Sequence, residues 1–237
     1  MPIQELIARG YTPIDAQRMI NNWNVLNRQQ FTIQGHFYNR DGLNFRRFLE
    51  IRRSNANNIE NDLNVILMFP GSSFPLYIDG NNPPDHLVDA NPDETQDQIM
   101  RIMYNLNFNY IKIINLSDIR LERANSRDFI NMLGNRLINV DHSIFSIPNR
   151  EIIRNYLNPT SPFLLAWGCD RGLMGLQQQA LKVLNQFWGR GINIIGLPCA
   201  NNVFGYKHPK PTRMVDQIIW VNDIIAQFIN LGIRLPG

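Results

Sequence analysis

The chain has 237 residues, 44% of them hydrophobic and 18% charged, with a formal net charge of +3. That length and apolar content suit one α/β domain with a core of its own, no apolar run is long enough to cross a bilayer, and residues 1–5 lack the charged and apolar regions of a signal peptide. Two cysteines, Cys169 and Cys199, fit neither a disulfide framework nor a four-thiolate cluster, so they lead us to expect a reducing cytoplasmic location, no iron–sulfur centre and no structural metal; we further expect a monomer with no membrane partner and no cofactor. The basic residues are 19 Arg against 4 Lys, a bias that suits bidentate phosphate contacts and base stacking, and that equally follows from genome composition.

Thr12, Pro13 and Asp15 make a helix start: a capping hydroxyl, a proline at the first helical position and an acid in the first turn. Ile14, Met19, Ile20, Trp23 and Leu26 form its apolar side. Residues 31–53 alternate apolar and polar around Asn39-Arg40-Asp41-Gly42, which predicts a β-hairpin. Its second arm carries Arg46, Arg47, Arg52 and Arg53 and reads as a solvated edge or a phosphate-contacting flank. The apolar run over 64–69 predicts a buried strand that ends abruptly in Pro70-Gly71-Ser72-Ser73.

Residues 74–91, rich in Pro, Gly, Asn and Asp, read as a long irregular loop overhanging the site. A helix is expected over 93–106, with Ile99, Ile102, Met103 and Leu106 inward, followed by a strand over 110–115 that ends in Asn115. Ser126 and Asp128 cap a further helix, carrying Phe129, Ile130, Leu133 and Leu137, and a shorter one is expected near 149–157. A strand over 163–167 precedes a helix over 173–187, a strand over 192–196 leads to His208-Pro209, and an amphipathic helix starts at Thr212 and closes at Gly232. Strands alternating with helices of this length predict a three-layer α/β/α domain with a central four-stranded parallel sheet. Residues 1–60, with their helix and hairpin, form an N-terminal extension to a core over 61–237.

No P-loop, dinucleotide fingerprint, nucleophile elbow or metal-ligand spacing is present. What remains is four strand ends in fixed order: Phe69-Pro70-Gly71-Ser72, Ile113-Ile114-Asn115-Leu116, Leu164-Leu165-Ala166-Trp167-Gly168 and His208-Pro209-Lys210. In an open parallel sheet such ends converge on the ligand.

In that order the motifs resemble the uracil-DNA glycosylase superfamily, over roughly residues 62–213. The resemblance implies a monofunctional DNA glycosylase that flips a pyrimidine from the duplex and hydrolyses its N-glycosidic bond to leave an abasic site. It implies Asn115 as the base-reading amide and His208 as the group that stabilises the departing base. Phe69, Pro70, Gly71, Ser72 and Ser73 would line the substrate pocket. Trp167 would stack on the base or pack in the core, and Lys210 stands where the superfamily has serine. The chain departs from the pattern at Phe69, where members hold the attacking water with an acid or amide; Asp79 is the preferred substitute, with Asp85, Asp93, Asp118 and Asp170 as alternatives. Gly71 in place of tyrosine leaves the C5 side of the ring open, which points to a C5-substituted cytosine such as that of modified phage DNA, and to a role in defence. A nucleotide or nucleoside hydrolase and a non-catalytic modified-base binder are the rival readings. The chain is also similar to an uncharacterised bacterial domain family with Asn-Pro-Ser-Thr after the first strand and Asn-Leu after the second.

Overall fold

The computed structural model describes residues 2–57, 59–76, 86–121, 126–134 and 141–233. Two short helices open the chain, α1 (Pro2–Ala8) and α2 (Pro13–Trp23), the second capped by the Thr12 hydroxyl, which accepts from the Asp15 N–H. Met19 and Ala16 of α2 are buried, but Ile14 is 81% exposed, because it lies on the far side of the helix from its packing partners. Strands β1 (Phe31–Arg40) and β2 (Leu43–Arg53) form the expected hairpin. Its two-residue turn has positive φ at both Asp41 and Gly42, the twist that matches paired strands.

Strand β3 (Leu63–Leu67) is buried at every residue. The segment read from sequence as one irregular loop holds two short strands, β4 (Phe74–Pro75) and β5 (Leu87–Asn91), which pair with each other, while β5 also pairs with β1. Helix α3 (Glu94–Asn105) begins with a capping box between Asp93 and Gln96 and leads to β6 (Tyr110–Asn115). Then come α4 (Ser126–Gly134), a 3₁₀ segment (Arg150–Asn155), β7 (Phe163–Leu165), α5 (Met174–Trp188), β8 (Ile194–Ile195), the small ribbon β9 (Pro198–Cys199) with β10 (Asn202–Tyr206), and α6 (Met214–Asn230).

The main sheet is mixed and has eight strands, in the order β4-β5-β1-β2-β6-β3-β7-β8. Strand β3 lies parallel to both β6 and β7, and β7 parallel to β8, whereas β2 joins β6 antiparallel. The hairpin expected as an appendage is therefore part of the sheet. An exposed edge of β6 would leave its backbone N–H and C=O groups unpaired, and β2 supplies the partners. The Arg-rich arm is neither a solvated edge nor a flank but an interior strand. Adjacent residues of the sheet face opposite cores: Val65 and Leu67 pack with Ile99 and Met103 of α3 and Ile224 and Phe228 of α6, while Ile66 packs with Ala180 and Leu184 of α5.

Cys169 and Cys199 form a disulfide, correcting the expectation drawn from their number alone. They follow neighbouring strands, and the pairing of β7 with β8 sets the two loops side by side.

Candidate functional site

The C-terminal ends of β3 and β6 lie side by side, with Leu67 opposite Asn115, and the ladder runs on as the Leu116 N–H donates to the Leu67 carbonyl at 2.9 Å. Asn115 is wholly buried, and neither its Oδ1 nor its Nδ2 has a hydrogen-bond partner among the described residues. A buried amide with both halves unsatisfied is rare and costly, which marks it as a group kept for something other than stability.

Arg46 joins it from β2. Pairing slips between His36/Phe48 and Phe37/Arg46, so Arg47 is the extra residue of a β-bulge. The bulge changes the parity of the strand and sets Arg46 across from Phe37, a residue of the core on the α3 side, while Arg47 forms an ion pair with Asp118 at 3.0 Å. Arg46 is 0% exposed, and its Nε, Nη1 and Nη2 lack partners among the described residues. Burial lowers its pKa to about 10, with Asp93 the chief opposing influence, so it is a cation at neutral pH. The nearby Arg120 donates from Nε to the Ser73 carbonyl at 3.0 Å and lies 5.3 Å over the Phe37 ring. Ser73 is itself fully buried, with its hydroxyl unpartnered among the described residues.

Asp93 brings an acid. Its Oδ1 caps α3, accepting from the Thr95 N–H at 2.8 Å, while its Oδ2 lies 2.8 Å from where a Cβ on Gly71 would stand. With φ of +64° and the carboxylate so close, only glycine fits at position 71. The open side expected there is thus occupied by Asp93. The loop that carries His208 meets the start of α3: the Lys210 N–H donates to His208 Nδ1 at 3.1 Å, and the Lys210 ammonium pairs with Glu94 at 2.7 Å. In the neutral ring that bond places the proton on Nε2, and burial pushes the imidazole pKa down to about 4, against the pull of Asp93.

The sequence-derived residues are thus divided. Asp93 links several of them: Gly71 lies against its Oδ2, and its charge acts through space on Arg46 and on His208, while Ser73 is tied to Arg120 and Asn115 ends the strand next to that of Arg46. Lys210 is exposed; its amide N–H holds the His208 ring and its ammonium ties that loop to Glu94 of α3. Pro70 is buried beneath the loop and Ser72 is exposed on it. Phe69 packs against Phe129 in a tilted pair with ring centroids 4.9 Å apart, and Trp167 is 0% exposed, its indole N–H donating to the Phe204 carbonyl, so it is a core residue. Asp79 and Asp85 lie outside the described residues. Arg46 and Arg120 were not singled out from sequence as site residues. The signal for Arg46 was the break in alternation at Phe45-Arg46-Arg47-Phe48, where the apolar positions slip by one residue, as they do across a bulge.

A concavity of about 930 Å³ lies at the opposite end of the sheet, lined by Asn61, Asp62, Pro162 and Asn193, and meets none of these groups. A second, of about 540 Å³, flanks His208 between Lys207, Trp220 and Asp223. The cluster offers one amide that donates and accepts, a buried cation, a neutral imidazole donor and a carboxylate oxygen. Neither protein-family models, nor curated proteins, nor solved structures yield a match to this chain.

Proposed function

We propose that this chain is a monofunctional DNA glycosylase that takes a flipped pyrimidine into the cluster at the ends of β3 and β6 and hydrolyses its N-glycosidic bond. The observation that carries the reading is the buried Asn115 amide with both donor and acceptor unsatisfied, since the hydrogen-bonding edge of a pyrimidine supplies the complementary pair. The order of the strand-end motifs supports it, as do the helices packed on both faces of the sheet, which we read as a three-layer α/β/α arrangement with β6, β3, β7 and β8 as its parallel centre.

In this mechanism water adds to C1′ as the bond to the base breaks, and the bonding electrons leave with the base. The developing charge on the pyrimidine oxygen is met by the Nε2–H of neutral His208. Asp93, in place of the expected Asp79, orients the water through Oδ2 and accepts the proton it releases, standing in for the acid or amide that Phe69 replaces. Because Asn115, Ser73 and Arg46 are all wholly buried, the base enters only when the segments around them part.

The test is single-turnover incubation with duplexes carrying uracil, mispaired thymine, hydroxymethylcytosine or glucosylated hydroxymethylcytosine, with released base measured by mass spectrometry. Release from at least one duplex is expected. Asn115→Ala or His208→Ala should slow it by about 10²–10³-fold, the usual loss on removing one preorganised donor. No release from any duplex overturns the reading. Cleavage of free nucleotides in preference to duplex DNA, with little dependence on salt, would replace it with a nucleotide hydrolase.

A further inference from the structure

Burying a guanidinium normally requires a carboxylate beside it, because the cost of removing the charge from water is recovered only by an ion pair with good hydrogen bonds. Arg46 makes no ion pair and no side-chain hydrogen bond among the described residues, and it has no exposed surface. No described residue forms an ion pair with it: Asp93 and Asp118 favour its charge through space only, Asp93 with Oδ1 committed to the α3 cap and Asp118 ion-paired to Arg47, while Arg120 opposes it. Two further groups are buried and orphaned among the described residues, the Asn115 amide at the end of the strand beside that of Arg46 and the Ser73 hydroxyl, whose own carbonyl accepts from Arg120, a charge that acts on Arg46. Their positions follow from the sheet: Ile113, two residues before Asn115, faces Leu49, and the Arg46 N–H donates to the Asp118 carbonyl at 2.8 Å, just beyond Asn115 on the neighbouring strand.

We propose that Arg46, with Asn115 and Ser73, forms an anion-binding subsite that takes the negatively charged edge of a planar, pyrimidine-like ring. The cation and the uncompensated donors call for an anion with several acceptor atoms. That the anion is a ring with an amide-like edge rests on the reading of Asn115 given above. Such an anion is either the ligand as it arrives or the base as it departs; in both cases the negative charge meets Arg46 within reach of the amide.

The experiment compares two rings of one shape on the full chain: barbiturate, an anion at neutral pH, and uracil, which is neutral there. Binding is measured by calorimetry and by the shift in unfolding temperature, without DNA. Barbiturate should bind at least tenfold more tightly than uracil, and Arg46→Met should erase the difference while Arg46→Lys keeps part of it. Equal affinity of the native chain for the two rings overturns the proposal whether or not the variants fold, as does a preference that survives in Arg46→Met. The assay reads no cleavage, so an anion preference without base release from any duplex leaves the subsite standing and removes the glycosylase. Base release without an anion preference does the reverse.

Discussion

Asn115 illustrates a side chain whose chemistry opposes the fold that holds it. Its amide sits among apolar strand residues with neither hydrogen-bonding half satisfied among the described residues, so replacing it by leucine, of similar size, should stabilise the protein by about 1–3 kcal/mol. Denaturant unfolding of Asn115→Leu checks this, and base release should be lost in the same variant. Asp118 offers a second case. Burial raises its carboxyl pKa to about 7, despite Arg47 and the Tyr38 hydroxyl, so the folded chain holds a proton that the unfolded chain releases near its ordinary value of 3.8. The folded state binds more protons between those values, and this contribution to stability therefore falls as the pH rises from about 4 to about 7 and is flat above. Asp118→Asn carries no such titration, so its unfolding free energy should gain on that of the native chain across this window; a constant difference would refute the assignment. His208 runs the other way. With its pKa lowered to about 4, the ring stays neutral through the physiological range, and a pH profile of base release should show no loss between about pH 7 and about pH 5 traceable to it.

Among the elements, the bulge in β2 matters most to the site. A regular strand would pair Arg47 with Phe37 and send Arg46 to the opposite face; one additional residue places Arg46 there instead. The loops that follow β7 and β8 are coupled by the Cys169–Cys199 bridge, which closes a sequence separation of 30 residues and lies just ahead of the strand that leads to His208. A loop of that size corresponds to about 3–4 kcal/mol of stabilisation in the chain-entropy account. A paired Cys169→Ser, Cys199→Ser variant should therefore unfold at distinctly lower denaturant concentration than the oxidised chain, and the native protein should show the same drop on adding reductant. No change in either would mean that the bridge contributes little.

At the scale of the molecule, the N-terminal hairpin and the strands that follow share one sheet, with β2 joined to β6 over four residue pairs and Phe31, Leu49 and Ile51 set in the same core as α3 and α6. A chain beginning at residue 61 would expose the paired edge of β6 and open that core. It should therefore fail to fold as a cooperative unit, which circular dichroism and hydrogen exchange would show; a stable, cooperative fragment would restore the extension-plus-core division expected from sequence.

Composition and periodicity alone determined most elements of this chain. The Thr12 cap, the Asp41-Gly42 turn, the buried strand before Pro70, the helix capped by Asp93 and the strand ending in Asn115 are all local signals, written in adjacent residues and obeyed by the fold. Asn115 and His208 stood out as candidates because the ordered strand-end motifs that carry them resemble those of the uracil-DNA glycosylase superfamily, and each motif is itself local. What surrounds them is not. The eight-stranded order, the disulfide, the burial of Trp167 and the gathering of Arg46, Arg120, Asp93 and Ser73 depend on which strands become neighbours and on one shift of register in a hairpin. Pairing partners distant in sequence leave no period or spacing in either segment, and a one-residue bulge reverses the direction of a side chain without altering the composition of its strand. Only the folded chain could therefore turn an arginine that read as part of a solvated edge or a phosphate-contacting flank into a buried charge of the candidate site.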